Sequence, residues 1–217
     1  LGTAVVKKFL DGDYKVLAID RSGRRPDYAK DNQQYEAYKV NLDNEQETAA
    51  FAQEAIKKHG KIDGALLLAG GFAMGDINAT DGNALKKMLT LNFDTCYFLA
   101  RPLFQHMMQN GYGRIVFIGS RPALNAAEGK SKLGYTLSKS LLFKLAELLN
   151  AEAKGKNVVT SVIAPSTIDT PDNRASMPDA HFDNWVIAEQ IADVLEFICS
   201  EKGMPVREPV YKLYNNA

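Results

Sequence analysis

The stretch IDGALLLA at residues 62–69 is a nearly continuous apolar run, and RIVFIG at residues 114–119 repeats the pattern. Short runs without polar alternation fit strands buried on both faces, as in a parallel sheet. Working outward from them, residues 2–11, 44–59, 82–109, 132–153 and 188–200 read as helices. Further strands are expected near 14–20, 36–42, 158–164 and 209–214. Strands separated by helices of this length need right-handed crossovers, so the expected fold is α/β, a doubly wound parallel sheet flanked by helices. The chain opens at Leu1-Gly2 without an initiator Met, in what reads as a βα turn, so a first strand is expected to be missing from the given sequence. With no domain-scale linker or internal repeat, residues 1–217 are expected to form a single domain.

Composition narrows the function. The 26 basic and 26 acidic residues balance to a formal charge of zero, which gives no reason to expect nucleic acid or an anionic membrane as partner. No uncharged apolar run approaches the ~18 residues of a membrane span. Cys96 and Cys199 both sit in apolar, helix-like segments and read as buried reduced thiols, so a reducing, cytoplasmic compartment is expected. His59, His106 and His181 have no metal-ligand spacing, and no metal site is expected. Met74, Met107, Met108 and the phenylalanines are assigned to the core. Small molecules and other protein subunits remain open as partners.

In an open parallel sheet, ligands lie beyond the carboxyl ends of the strands. The residues at those ends are Asp20, Asn41-Leu42, Ala69-Gly70-Gly71, Gly119-Ser120 and Ala164-Pro165. Asp20 closes an apolar run, where a carboxylate can accept both ribose hydroxyls of an adenosine or simply terminate the strand. A carboxylate there repels a 2′-phosphate and favours NAD(H). Arg21, with Arg24 and Arg25 nearby, suits phosphate and leaves NADP(H) open.

Tyr135 and Lys139 lie four apart in a helical segment whose apolar stripe reads as Leu137, Leu141, Leu145, Leu148 and Leu149. That spacing puts phenol and ammonium on one face. The positive charge is expected to lower the phenol pKa towards the range of a proton donor. The pair Tyr35 and Lys39 has the same spacing, but it reads as strand, where four residues span about 13 Å. Ser120 follows a buried strand and either orients a substrate carbonyl or caps a turn. Asn92 stands mid-helix among apolar neighbours, which calls for a hydrogen-bond partner or a function.

The order Asp20, Ala69-Gly70, Asn92, Ser120, Tyr135 with Lys139, then Pro165, Ile168 and Thr170 resembles the short-chain dehydrogenase/reductase family over essentially the whole chain. The resemblance implies a Rossmann-type sheet and a nicotinamide cofactor. It makes Tyr135 the general acid/base, Lys139 its partner and ribose ligand, Ser120 the group that orients substrate, and Asn92 the anchor of a water in a proton relay. Leu1, Gly2, Asp20, Arg21, Asn41, Leu42, Ala69, Gly70, Gly71, Tyr135, Lys139, Ile168 and Thr170 would line the cofactor. A homodimer or homotetramer is implied through the helices near 82–109 and 132–153.

Three departures stand out: Leu67-Leu68-Ala69-Gly70 after the fourth strand, Pro165-Ser166 after the sixth, and a longer loop NAAEGKSKLG at 125–134. LAGGF at 68–72 and STIDTPDNRASMPDAHFDNW at 166–185 are similar to the dihydropteridine reductases, which reduce quinonoid dihydropterin with NADH but generally depart from Ser and Asn at the two positions kept here. A carbonyl or 3-oxoacyl reductase is the alternative within the family. A dinucleotide-sensing module without chemistry is the alternative outside it, and it would need none of the four polar residues together. Residues 165–187, with Pro165, Pro171 and Pro178, read as a substrate lid, and Phe182 and Trp185 offer it aromatic surface or pack into the core.

Overall fold

Helix α1 (Gly2–Asp11) turns through residues 12–15 into strand β1 (Val16–Asp20), and the chain then runs through β2 (Tyr35–Lys39), α2 (Glu45–His59) and β3 (Gly64–Leu67). Helices α3 (Gly82–Leu89) and α4 (Thr95–Asn110) are joined by a π-helical turn, Thr90–Asp94. There follow β4 (Tyr112–Ile118), the short α5 (Ala126–Gly129), α6 (Leu133–Glu152) and β5 (Asn157–Pro165). Strand β6 (Ile168–Asp169), α7 (Pro171–Ser176), β7 (Val186–Ile187), α8 (Ala188–Cys199) and β8 (Val210–Leu213) complete the order. The computed structural model describes residues 1–216.

Every strand pair is parallel, as the alternation of strands and helices predicts. The pairing divides into β1-β2 and β3-β4-β5-β8, with the small β6-β7 ribbon apart. Strands β4 and β5 form the centre. Ile115, Val116 and Phe117 are fully buried, as are Ile163 and Ala164. Two apolar layers flank the sheet. One gathers α2, α4 and α6 through Phe51, Leu99, Leu103, Met107 and Leu142, and the other gathers α1 and α8 through Val5, Phe9, Ile191 and Leu195.

Local chemistry fixes the helix ends. The Asn44 side chain accepts the Glu47 amide, acids occupy the first turn of α2, and Lys57, Lys58 and His59 occupy its last, matching the helix dipole. Gly111 ends α4 at φ 76°, a left-handed conformation that glycine adopts freely.

Two readings of the sequence are corrected. The leucine stripe of α6 is only partly its core face: Leu145 and Leu149 pack against the core, but Leu137, Leu141 and Leu148 are exposed, while Gly134, Ser138, Lys139, Leu142 and Ala146 are buried. Helix α6 lies close against the sheet, and its near side carries three small residues with one leucine and one lysine. Of the residues assigned to the core, Met107 is fully buried, whereas Met74 and Phe72 are 65% and 58% exposed.

Candidate active site

The strands run parallel, so their carboxyl ends share one edge, and the polar residues picked from the sequence collect there. Asn92 lies in the π-helical turn, where one extra residue widens the helix, a feature frequent at functional sites. Its side chain is fully buried yet fully engaged. Oδ1 accepts from the Gly71 amide at 2.9 Å, and Nδ2 donates to the Gly71 carbonyl at 3.1 Å and to Ser138 Oγ at 3.0 Å. Asn92 therefore clamps the loop after β3 onto α6.

That clamp explains the glycines. A Cβ on Gly70 would stand 2.7 Å from Asn92 Oδ1 and 3.1 Å from Lys139 Nζ, and one on Gly71 would meet Leu91 at 3.0 Å. Only a bare backbone passes there. The exposed face of Gly70 thus leaves a shallow cradle directly over Lys139.

Lys139 is 5% exposed, and its ammonium donates to the Ile118 carbonyl at 2.7 Å, at the end of β4. Burial lowers its pKa from the ordinary 10.5, and the nearby Cys96 acts weakly the other way. Tyr135, one turn earlier on α6, is half-buried, and Phe72 lies edge-on to its ring with centroids 5.0 Å apart. Burial raises the phenol above its ordinary 10.0, and Ser120 pulls it back down. The sequence-based expectation that Lys139 depresses this phenol is not met. The ammonium is committed to Ile118, and the group acting on Tyr135 is Ser120. The Ser120 hydroxyl is buried and has no hydrogen-bond partner among the described residues.

The long loop after Ser120 does not separate it from Tyr135. Residues Arg121–Ala123 form a 3-10 turn, Asn125 caps α5, and Arg121 pairs with Glu128 at 2.9 Å. The Gly75 amide then donates to the Ser131 carbonyl and the Gly75 carbonyl accepts from Leu133, so both loops are tied together at the start of α6. The look-alike pair Tyr35 and Lys39 lies at opposite ends of strand β2, with Tyr35 buried and Lys39 in register with Asp20.

At the other end of the edge, Asp20 terminates β1 with an exposed carboxylate. Its Oδ1 accepts from the Ser22 amide, the Ser22 hydroxyl and the Gly23 amide at 2.5–2.8 Å. Burial opposes ionisation, but these bonds with Arg24 prevail and hold the pKa below its ordinary 3.8. Arg21 is spent on Asp43 at 2.6 Å. Arg25 donates to backbone carbonyls of Lys30 and Tyr35, which among the described residues leaves Arg24 as the unengaged guanidinium beside Asp20. Asn41 caps its own loop through the Asp43 amide, and Leu42 packs against the core. Leu1 precedes α1 without a side-chain cap, and Gly2 stands open to solvent.

Residues 165–187 carry more structure than the sequence suggests. Thr170 caps α7 through the Asn173 amide, and Asn173 returns a bond to the Ile168 carbonyl. Arg174 grips Asp169 through two bonds at 2.6 and 2.7 Å and lies over the Phe182 ring. Trp185 is buried and packs edge-on against Phe182, so it anchors the base of the segment rather than offering a free face. Phe72, assigned to the core with the other phenylalanines, is the aromatic residue whose place at the site was missed. Its place directly after Ala69-Gly70-Gly71 was the available signal.

Comparisons with known proteins agree on the family. The family model described as short chain dehydrogenase matches residues 1–180. Among curated proteins, a dihydropteridine reductase of Dictyostelium discoideum is 27% identical over 199 residues, covering 90% of this chain and 81% of that one. An acetoacetyl-CoA reductase of Acinetobacter is 25% identical, covering 79% and 71%. Among solved structures, a 3-ketoacyl-(acyl-carrier-protein) reductase from Brucella melitensis complexed with NADH superimposes with a TM-score of 0.84 at 18% identity, covering 99% and 92%. ElxO with NADP bound does so at 0.86 and 19%, covering 98% and 92%. At these identities the structural likeness speaks for the fold alone.

Proposed function

The chain belongs to the short chain dehydrogenase family, and from that premise we propose that it is a nicotinamide-dependent reductase of a small molecule, with quinonoid dihydropteridine as its substrate. The observation that carries the reading is the gathering of Tyr135, Ser120, Lys139 and Asn92 at one strand edge, beneath a cradle kept open by Gly70. A sensing module would have no use for a buried lysine and an unpartnered serine hydroxyl beside a phenol.

Bound NAD(P)H supplies a hydride. The chain's own residues do the rest. Tyr135 stays protonated through the neutral range because burial raises its pKa, and it delivers its proton to the acceptor atom as that atom gains electrons. Ser120 Oγ steadies the same oxygen or nitrogen. Lys139 and the Gly70–Gly71 backbone seat the ribose, while Leu1, Gly2, Asp20, Arg21, Asn41, Leu42, Ala69, Ile168 and Thr170 border the rest of the cofactor. Exposed Asp20 favours NAD(H), with Arg24 the one contact suited to NADP(H). Residues 165–187 act as the lid of a single domain.

Support for a pterin comes from the Dictyostelium relative and from the LAGGF segment, whose Phe72 presents an open ring beside Tyr135. A second reading, reduction of a 3-oxoacyl or other carbonyl compound, is favoured by the buried Ser120 and by the Acinetobacter relative. Oxidation of NADH with quinonoid dihydropterin, set against acetoacetyl thioesters and simple ketones, decides between them. No oxidation with any of them would remove the enzymatic reading.

For assembly, Leu145 and Leu149 of α6 face Tyr97, Arg101, Phe104 and Met108 of α4 across a groove of about 600 Å³. With the exposed leucines of α6 beside it, this face suits a second copy of the chain. Free Cys96 and Cys199 fit a cytoplasmic setting, and no helix among the described residues is long and apolar enough to cross a membrane.

A further inference from the structure

The residue after Ser120 is a cation with no task in the transfer of hydride or proton. Arg121 reaches from the carboxyl end of β4 across the end of β5 to the end of β8, where its guanidinium carbon lies 5.5 Å from the centre of the Tyr214 ring. That ring stands at the base of the 165–187 segment. Ser166 Oγ donates to the Tyr214 carbonyl at 3.1 Å, and the Ser166 amide donates to the Leu213 carbonyl at 2.9 Å. At the other end of the segment, Asn215 Nδ2 donates to the Trp185 carbonyl at 2.7 Å. Both ends are thus fastened beside Arg121.

The guanidinium is held by one flank only. Its Nε donates to Glu128 Oε2 at 2.9 Å, and Glu128 is itself steadied by Asn125 Nδ2 on Oε1 at 2.9 Å. Among the described residues, Nη1 and Nη2 make no hydrogen bond. Glu128 sets the direction and Tyr214 supports the face, so the terminal edge is left presented. Two parallel N–H groups on such an edge match a carboxylate bidentately. The side chain is 26% exposed, which shields a pair formed there from much of the solvent screening. Residues 121–132 carry Arg121, Lys130 and Lys132 against Glu128 alone, so the local field also favours an anion. Of the acids in the overlying segment, Asp169 is bound by Arg174 and Asp183 adds its charge to that same guanidinium.

We propose that Arg121 is the specificity residue of this site and takes a carboxylate carried by the substrate. The proposal rests on the reductase reading and narrows it to acids, either a pterin whose side chain ends in a carboxylate or an oxo acid. With an oxo acid, the hydride of NAD(P)H goes to the carbonyl carbon and the Tyr135 proton to its oxygen. The products are a hydroxy acid and oxidised cofactor, with the carboxylate unchanged.

NADH oxidation is compared for acetoacetate and levulinate against their methyl esters, and for quinonoid dihydropterins with and without a carboxylate-ended side chain. The two series separate the two sources of the carboxylate. In one of them kcat/KM for the acid is expected to exceed that for its neutral partner about tenfold or more, as a charge-assisted pair allows, and in Arg121→Gln the ratio should fall to near one. Equal values for acid and neutral partner in both series would overturn the proposal. So would an Arg121→Gln variant that slows acid and neutral partner alike, the mark of a structural role or of a lid acid seated on the fork. A second arm needs neither turnover nor a variant. Phenylglyoxal, which attacks guanidinium groups, is applied to the NADH-bound chain, and Arg121 and Arg24 are followed by peptide mapping. The acids are expected to protect Arg121 and not Arg24, and the neutral partners to protect neither. Absence of selective protection would overturn the proposal, whereas selective protection without NADH oxidation by any compound would support the carboxylate site and remove the reductase reading.

Discussion

Asn92 holds Gly71 by both of its backbone groups, accepting the amide on Oδ1 at 2.9 Å and returning Nδ2 to the carbonyl at 3.1 Å. A third bond to Ser138 joins this clamp to the helix that carries Tyr135 and Lys139. Asn92→Leu, close in volume, removes the partner of the part-buried Gly71 amide and carbonyl, while Ser138 Oγ keeps its bond to the Tyr135 carbonyl. Each such group costs about 1–3 kcal/mol, so a loss of at least ~2 kcal/mol is expected in urea unfolding. A variant as stable as the parent would show that the clamp is ornamental.

Gly70→Ala tests the cradle. Its Cβ would press on Asn92 Oδ1, which the Gly71 bonds prevent from retreating, and on the Lys139 ammonium. Binding of NADH, followed by fluorescence, is expected to weaken tenfold or more, with a stability loss of about 1–3 kcal/mol from overpacking. Unaltered affinity would put the cofactor elsewhere.

Tyr135→Phe keeps the ring and its contact with Phe72 but removes the proton. Turnover is expected to fall a hundredfold or more, within the usual range for a lost general acid, with NADH affinity nearly unchanged. Ser120→Ala removes the one group that lowers this phenol's pKa, so tyrosinate absorbance should then appear at still higher pH. A shift to lower pH would contradict the assigned contact.

Lys139 gives a pH signature. Its folded pKa lies below the ordinary 10.5, so between those two values the unfolded chain binds more protons than the folded one, and stability rises with pH across that window. Below the folded pKa the buried ammonium exerts its full cost. Lys139→Met should abolish this segment of the stability profile in alkaline unfolding titrations. A slope that survives the substitution would belong to another group.

Leu148 is 61% exposed on the outer face of α6, so Leu148→Glu costs the isolated chain little. If that face seats a second copy, light scattering should register a drop to half the mass or less. The same mass as the parent would exclude the α4–α6 face as the contact.

Much of this arrangement could be read from residue order alone. The apolar runs at 62–69 and 114–119 became parallel strands, and Tyr135 and Lys139 did fall on one helix, because both patterns depend on local periodicity. What failed depended on distance between elements. Leu137, Leu141 and Leu148 of α6 were taken for core because hydrophobicity was counted without the closeness of the sheet, which admits Gly134, Ser138 and Ala146 instead. The influence of Lys139 on Tyr135 was assumed from spacing, while the direction of the ammonium is set by Ile118, far away in sequence. Phe72 was assigned to the core because an aromatic residue in a loop has no periodic signal to place it.

The widened turn at Thr90–Asp94 carries a consequence for inheritance. Deleting one residue there would let the helix wind regularly with its two sides nearly in register, but the wide turn that presents Asn92 would be lost. Substitutions around Asn92 can be absorbed one at a time, but a single lost codon would unlock the loop, the phenol helix and the cradle together. The region should therefore drift in spelling across descendants while keeping its length.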